Sequence, residues 1–250
     1  KATASPVAAE ALERIGKLLM NAGDRLLVEA PTYVGALQAF NSYEARYLTV
    51  PLDGDGLQVD KLEQELRSGP KFLYVLPNFH NPAGTTLTVE RRNRLVELAS
   101  HYGVPILEDD PYGQLRYEGE HQPPLVEIDS EYHGERAGKA AAGGRFRGGV
   151  IYLSSLSKTL APGLRIAWVV APTDVIGRLV QIKQGADLHT STFNQMVAFE
   201  TARGGFLDHH VKVLRDFYRQ RRDAMLEALK RYMPDGVEWT RPQGGLFLWL

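Results

Sequence analysis

Apolar residues recur along the chain in short runs separated by amphipathic stretches. The runs at 25–29, 47–51, 72–76, 105–108, 150–154 and 165–171 are predicted strands. Several are continuous rather than alternating, which predicts strands covered on both faces. Segments 8–20, 59–67, 89–102, 173–186, 192–202 and 207–232 read as helices. Thr88 stands just before the third and is a candidate N-cap. Strand–helix alternation of this kind predicts an α/β domain with a mainly parallel sheet. Ligands in such sheets sit at the carboxyl ends of the strands. Each motif described below falls just after a predicted strand.

Residues 130–149 are rich in Gly, Ala and Arg with little periodicity, and read as a surface insertion or mobile loop. Gly138-Lys139 lacks the following Ser/Thr and the upstream spacing of a phosphate-binding P-loop. Gly204-Gly205 separates two predicted helices, so a domain boundary is expected there: 1–203 as a large domain, 204–250 as a long linking helix and the start of a second, small domain. The chain starts at Lys1 rather than Met and stops at Leu250 inside the apolar run 246–250. Domains seldom end within a strand, so further sequence is expected at both ends.

The 250 residues suffice for a large core. With 29 Lys and Arg against 30 Asp and Glu, net charge is −1, which gives no reason to expect a nucleic acid or an anionic membrane as partner. The apolar runs are too short to span a bilayer. The absence of cysteine excludes disulfides and Cys-ligated metals, and a reducing cytoplasm fits.

Four motifs carry candidate chemistry. In Ser154-Ser155-Leu156-Ser157-Lys158-Thr159-Leu160-Ala161-Pro162-Gly163-Leu164-Arg165, one lysine stands among hydroxyls and an arginine, right after an apolar run. Desolvation near cationic Arg165 would lower the lysine's pKa and leave a nucleophilic amine. Hydroxyls and a guanidinium suit a phosphate. Together they describe an amine holding a phosphorylated aldehyde, as pyridoxal phosphate requires; an isolated lysine here would read as a surface residue. In Glu108-Asp109-Asp110-Pro111-Tyr112, a carboxylate can hold a proton on a pyridine nitrogen. Such a pair is worth about 4 kcal/mol at an intermediate dielectric, against about 1 in water. The same acids also read as a Mg²⁺ loop or a solvated turn. In Pro77-Asn78-Phe79-His80-Asn81-Pro82-Ala83-Gly84, a turn can present the Asn81 amide to a ligand oxygen, or be an ordinary tight turn. His80 has no second ligand at metal spacing and reads as structural or solvent-facing. In Glu29-Ala30-Pro31-Thr32-Tyr33, Tyr33 can stack on a flat ring or serve as a core or lid residue.

Taken in order, Asn-Pro-x-Gly, Asp-x-x-Tyr and Ser-x-x-Lys followed by Arg resemble the fold-type I pyridoxal-phosphate aminotransferases of class I/II. Residues 29–40, 184–190 and 194–196 are similar to the subgroup acting on 2-aminoadipate, kynurenine, aromatic or branched-chain amino acids, the 2-aminoadipate enzymes of lysine biosynthesis among them. The resemblance implies a three-layer α/β/α large domain with a mainly parallel sheet, the start of a small C-terminal α+β domain, pyridoxal 5'-phosphate as cofactor, and a cytoplasmic homodimer. It implies that Lys158 condenses with the cofactor's aldehyde and then shuttles the substrate α-proton. Asp109 would pair with the pyridine nitrogen. Tyr112 and Asn81 would hold the ring oxygen, Asn81 also reaching the substrate carboxylate. Ser155, Ser157 and Arg165 would bind the phosphate and Tyr33 would stack on the ring. Amino acids and 2-oxo acids, 2-oxoglutarate first, are the implied substrates.

The chain departs from that family at Val7-Ala8-Ala9-Glu10, where a turn donating amides to the phosphate is expected and Glu10 would repel it. The N-terminal arm is missing, as is most of the small domain with its carboxylate-gripping arginine. The segment 241–247 resembles the opening of that domain. Two other readings stay open: the aminotransferase-like domain of a winged-helix transcription regulator, and a lyase or decarboxylase on the same fold. The Asn81-Pro82 and Pro111-Tyr112 pairs speak against the regulator.

Overall fold

The computed structural model describes residues 2–5, 8–137 and 148–250. Its elements run β1 (Ala2–Ser5), α1 (Ala8–Leu19), β2 (Arg25–Ala30), α2 (Val34–Asn41), β3 (Arg46–Asp53), β4 (Gly56–Leu57), α3 (Leu62–Leu66), β5 (Leu73–Val75), α4 (Val89–Tyr102), β6 (Ile106–Asp109), α5 (Leu125–Ala137), β7 (Val150–Ser155), β8 (Ala167–Val170), α6 (Thr173–Asp187), α7 (Thr192–Ala202) and α8 (Phe206–Tyr232). The described strands form one sheet in the order β1-β8-β7-β6-β5-β2-β3-β4. The central strands β7, β6, β5, β2 and β3 are parallel neighbours, while β8, β1 and β4 pair antiparallel at the two sides.

Strand alternation sends successive apolar side chains into two cores. Leu26, Val28, Phe72, Tyr74, Leu76, Leu107, Ile151 and Leu153 meet α1, α2 and α6. Leu27, Leu73, Val75, Ile106 and Val150 meet α3, α4 and α5. This is the expected three-layer α/β/α arrangement, and double coverage explains why the strands read as unbroken apolar runs. Thr88 caps α4, its hydroxyl accepting the Arg91 N–H at 3.5 Å.

The structure corrects several expectations. Residues 130–137 belong to α5 rather than to a loop; 138–147, with Gly138-Lys139, lie outside the described residues. Segment 246–250 forms no strand. Residues 165 and 166 precede β8, because Arg165 adopts a left-handed conformation, φ 53°, that ends a short 3-10 turn. Gly204 and Gly205, at φ 75° and 82°, make the break between α7 and α8. No described helix is long and apolar enough to cross a membrane.

Segment 241–247 folds back on the α/β unit. Gln243 O accepts the N–H groups of Tyr117 and Glu118 at 3.0 Å, and Gly245 N donates to Leu115 O at 3.0 Å. Gly244 and Gly245 pass over Phe79 so closely that a Cβ on either would lie 2.2–2.3 Å from it. Only glycines permit that approach, which brings Phe247 to the sheet's carboxyl edge.

Candidate active site

The parallel register puts the last residues of β2, β5, β6 and β7 along one edge of the sheet. A cavity of about 270 Å³ opens there. All eight residues singled out from sequence line it: Tyr33 after β2, Asn81 after β5, Asp109 and Tyr112 at and after β6, and Ser155, Ser157, Lys158 and Arg165 at and after β7. Leu76, Pro111, Pro162 and Phe247 complete the wall, and the sequence reading gave none of these a role. Phe247 meets Tyr112 edge-on, with ring centroids 5.5 Å apart. A larger cleft of about 650 Å³, lined by Gly84, Thr85, Arg116 and Trp239 among others, holds no lysine.

The three consecutive acids diverge. Glu108 faces α5, where its carboxylate accepts the N–H groups of Leu125 at 2.8 Å and Val126 at 2.9 Å. Asp109 faces the opposite layer and the cavity. Its Oδ2 accepts the hydroxyl of fully buried Tyr74 at 2.8 Å, while Oδ1 is buried without a partner among the described residues. Asp110 accepts Gly113 N–H at 2.9 Å, and its backbone carbonyl accepts the Ser154 hydroxyl at 2.7 Å. Loop and solvated-turn readings of this motif therefore fail: all three acids are more than nine-tenths buried.

Burial pushes the Asp109 carboxyl up to about 7; the Tyr74 hydroxyl pulls it down and the charge of Asp110 adds to the rise. Burial likewise lifts Glu108 to about 8, helped by Asp110 and opposed by the α5 amides and Arg92. The Tyr112 hydroxyl is raised by burial and by Asp109, with the Asn81 amide acting the other way. Tyr33 is raised by burial and then by Asp109.

Local structure explains the remaining placements. Tyr33 precedes α2 and lies against Gly35, where a Cβ would come 2.4 Å from its ring. Ser155 is the buried last residue of β7, and its hydroxyl accepts the Ser157 N–H at 3.4 Å. Lys158 is half-buried on the turn that follows. Arg165 is exposed at the cavity mouth, and the loop before it is fastened by Asn194 Nδ2 donating to Leu164 O at 3.1 Å. Val7 lies outside the described residues; Glu10 sits on α1 and pairs with Arg14 at 3.5 Å. His80 is not solvent-facing: it is 1% exposed, beside Glu29.

The sequence profile described as aminotransferase class I and II matches residues 3–250. The chain therefore belongs to the class I and II aminotransferase family. It is 46% identical over 246 residues to the aromatic-amino-acid aminotransferase 1 of Thermococcus litoralis, covering 96% of this chain and 55% of that protein. Its fold superposes with a TM-score of 0.90 on the α-aminoadipate aminotransferase LysN of Thermus thermophilus, crystallised with N-(5'-phosphopyridoxyl)-L-leucine, at 40% identity over 99% of this chain and 60% of that one. It is also 34% identical to an uncharacterized HTH-type transcriptional regulator, YisV of Bacillus subtilis, across 97% of this chain and 47% of the regulator. The chain spans a little over half the length of the aminotransferase relatives it matches.

Proposed function

We propose that this chain is the cofactor-holding part of a pyridoxal-phosphate-dependent aminotransferase that moves an amino group from an aromatic, branched-chain or 2-aminoadipate-type amino acid to a 2-oxo acid such as 2-oxoglutarate. The observation that carries this reading is the buried Oδ1 of Asp109, without a hydrogen-bond partner among the described residues, on the wall of the cavity that Lys158 also lines. A buried polar atom without a partner is costly, and a pyridinium N–H would satisfy it. The remaining donors suit the rest of that cofactor: hydroxyls and a guanidinium for a phosphate, a phenol and an amide for a ring oxygen.

In this reading, Asp109 holds a proton on the ring nitrogen through Oδ1 while Tyr74 occupies Oδ2. Ser155, Ser157 and Arg165 bind the phosphate. Tyr112 and Asn81 orient the ring from its oxygen side, and Tyr33 covers a face and excludes water. Lys158 Nζ would hold the cofactor at its aldehyde carbon and, when free, would serve as the base that moves the proton of the substrate α-carbon. When bound, pyridoxal phosphate supplies the electron sink for the carbanion at that carbon. We assign 1–203 to a large domain and 204–250 to a linking helix and the opening of a small one. The protein is proposed to act as a cytoplasmic homodimer. Leu188, just after α6, and Phe193, Met196 and Phe199 of α7, all more than half exposed in this chain, support a buried contact around α7.

The test uses the full-length protein. Borohydride reduction in the presence of pyridoxal phosphate should fix the cofactor on Lys158, as read by peptide mass spectrometry, and Lys158→Ala should abolish it. Coupled assays should show transamination of 2-aminoadipate, kynurenine, leucine or an aromatic amino acid with 2-oxoglutarate. Labelling elsewhere than Lys158 overturns the reading. Cofactor and duplex-DNA binding without any transamination replaces it with the regulator, the reading that similarity to YisV favours.

A further inference from the structure

The buried histidine of the turn after β5 has no part in the reading above, although each of its polar atoms has a close neighbour. His80 N–H donates to Thr85 O at 2.8 Å, and its carbonyl accepts from Gly84 N at 2.6 Å. On the ring, Nδ1 accepts the Ala83 N–H at 3.2 Å. Nε2 lies 3.2 Å from Glu29 Oε2, a close contact whose angle is not that of an in-line hydrogen bond. An acceptor nitrogen carries no proton, so the ring proton of the neutral form sits on Nε2, toward the acid.

Glu29 is itself 3% exposed and is the penultimate residue of β2. Its Oε2 also accepts the N–H of Leu76, the residue just after β5, at 2.8 Å. One carboxylate thus ties two adjacent strand ends together and seats the imidazole on them. The other edge of the imidazole holds Ala83. Asn81, which lines the cavity, lies between the two points where this ring grips the turn. Direction along the turn is therefore referred to the same sheet edge that presents Asp109.

We infer that His80, seated on Glu29, is a positioning residue that aims the Asn81 carboxamide into the cavity. This rests on the reading of Asn81 as a cofactor contact. A histidine serving only to satisfy the turn would affect stability without any energetic link to Asn81.

The test uses full-length protein and pyridoxal phosphate itself as probe, with Kd read by fluorescence quenching for His80→Asn, His80→Gln, Asn81→Ala and the double variant His80→Asn/Asn81→Ala. Asparagine keeps an acceptor for Ala83 but cannot reach Glu29; glutamine keeps a donor for Glu29. His80→Asn should weaken binding about tenfold, a typical coupling for contacting residues. The double variant should bind as Asn81→Ala does, and His80→Gln should recover most of the loss. Additive losses, or wild-type affinity in His80→Asn, overturn the inference. If Asn81→Ala binds as tightly as wild type, it is the reading of Asn81 that fails, and the inference falls with it. Nitrogen-15 NMR of the unaltered protein is a check that needs no variant to fold: a ring proton on Nδ1 of His80 overturns the clamp.

Discussion

The Tyr74 hydroxyl donates to Asp109 Oδ2 at 2.8 Å from the adjacent strand, and so decides which carboxylate oxygen is left for a ligand. Both side chains lie in the same layer, where Tyr74 packs edge-on against Phe40 at a centroid distance of 5.9 Å. Phe40 is completely buried, so the phenol is held by packing as well as by its hydrogen bond. Tyr74→Phe should keep the fold, since the ring is retained. It should weaken pyridoxal phosphate binding by about tenfold, the worth of one charge-assisted hydrogen bond. Its removal takes away the main influence that lowers the Asp109 pKa, which then rises further. Below that pKa the carboxyl is neutral and cannot pair with a pyridinium. The acid-side loss of cofactor affinity should therefore begin at higher pH in the variant than in wild type, as spectrophotometric titration would show.

The same carboxyl makes a prediction for the protein without cofactor. Its value rises from an ordinary 3.8 to about 7 on folding, so between these limits the folded state binds more protons than the unfolded. Stability is then fully present below the lower value and is lost as pH rises through the upper one, by up to about 1.4 kcal/mol per pH unit. Glu108 acts in the same direction between 4.5 and about 8. Urea melts of the apoprotein should show falling stability from pH 4 to 8. Asp109→Asn should flatten only the part below about 7, and an unchanged slope would contradict the assignment.

Gly113 donates to Asp110 Oδ1, and a Cβ at that glycine would stand 2.4 Å from Asp110 Oδ2. That oxygen is itself 3.4 Å from the Tyr152 hydroxyl, which leaves the acid little freedom to move aside. Gly113→Ala should cost about 1–3 kcal/mol of stability, in the usual range for overpacking a tight site. It should also loosen the turn that carries Tyr112 and raise the Kd for pyridoxal phosphate. Chemical denaturation and ligand titration measure the two effects separately.

The exposed side chains around α7 test the homodimer proposed above. Phe193 is 76% exposed and Met196 52% in the isolated chain. A charge there has no cost in a monomer and a large one in an apolar contact. Phe193→Asp in the full-length protein should shift the sedimentation coefficient from dimer to monomer without lowering helix content. A dimer that persists unchanged places the contact elsewhere.

Legibility varied with how local the cause of each element is. Strands β2, β5, β6 and β7 were readable because burial on both faces demands consecutive apolar residues through most of their length, as in Leu26-Leu27-Val28 and Leu73-Tyr74-Val75. Helix α5 was not. Its first amides are capped by Glu108, 17 residues earlier in the chain, and only Leu125 and Ile128 among its described residues are buried apolar side chains, with Val126 and Tyr132 partly buried beside them, which is too little to mark a period. The short α2 packs through Ala36 and Phe40, which make no amphipathic stripe on their own. Strand β1 depends on pairing with β8, far along the chain. Tyr74 received no role from the sequence, where it is one position of the run 72–76, because nothing in its neighbours along the chain announces a carboxylate on the next strand.

What the amino-acid order determined alone was the chemical inventory and its placement at strand ends: the lysine with its hydroxyls, the acid pair with its tyrosine, the Asn-Pro turn. Those are short-range patterns, and short-range patterns are written directly in a sequence. The residues alone left open which of Glu108, Asp109 and Asp110 faces the cavity; the family resemblance implied Asp109, and the tertiary structure supplies the physical reason. Strand alternation sends neighbours to opposite layers, and the core on each side supplies a different partner: backbone amides of α5 for Glu108, the phenol of Tyr74 for Asp109. Oδ1 of Asp109 stays available because, among the described residues, that packing brings one donor, the Tyr74 hydroxyl, to the carboxylate, and it is spent on Oδ2.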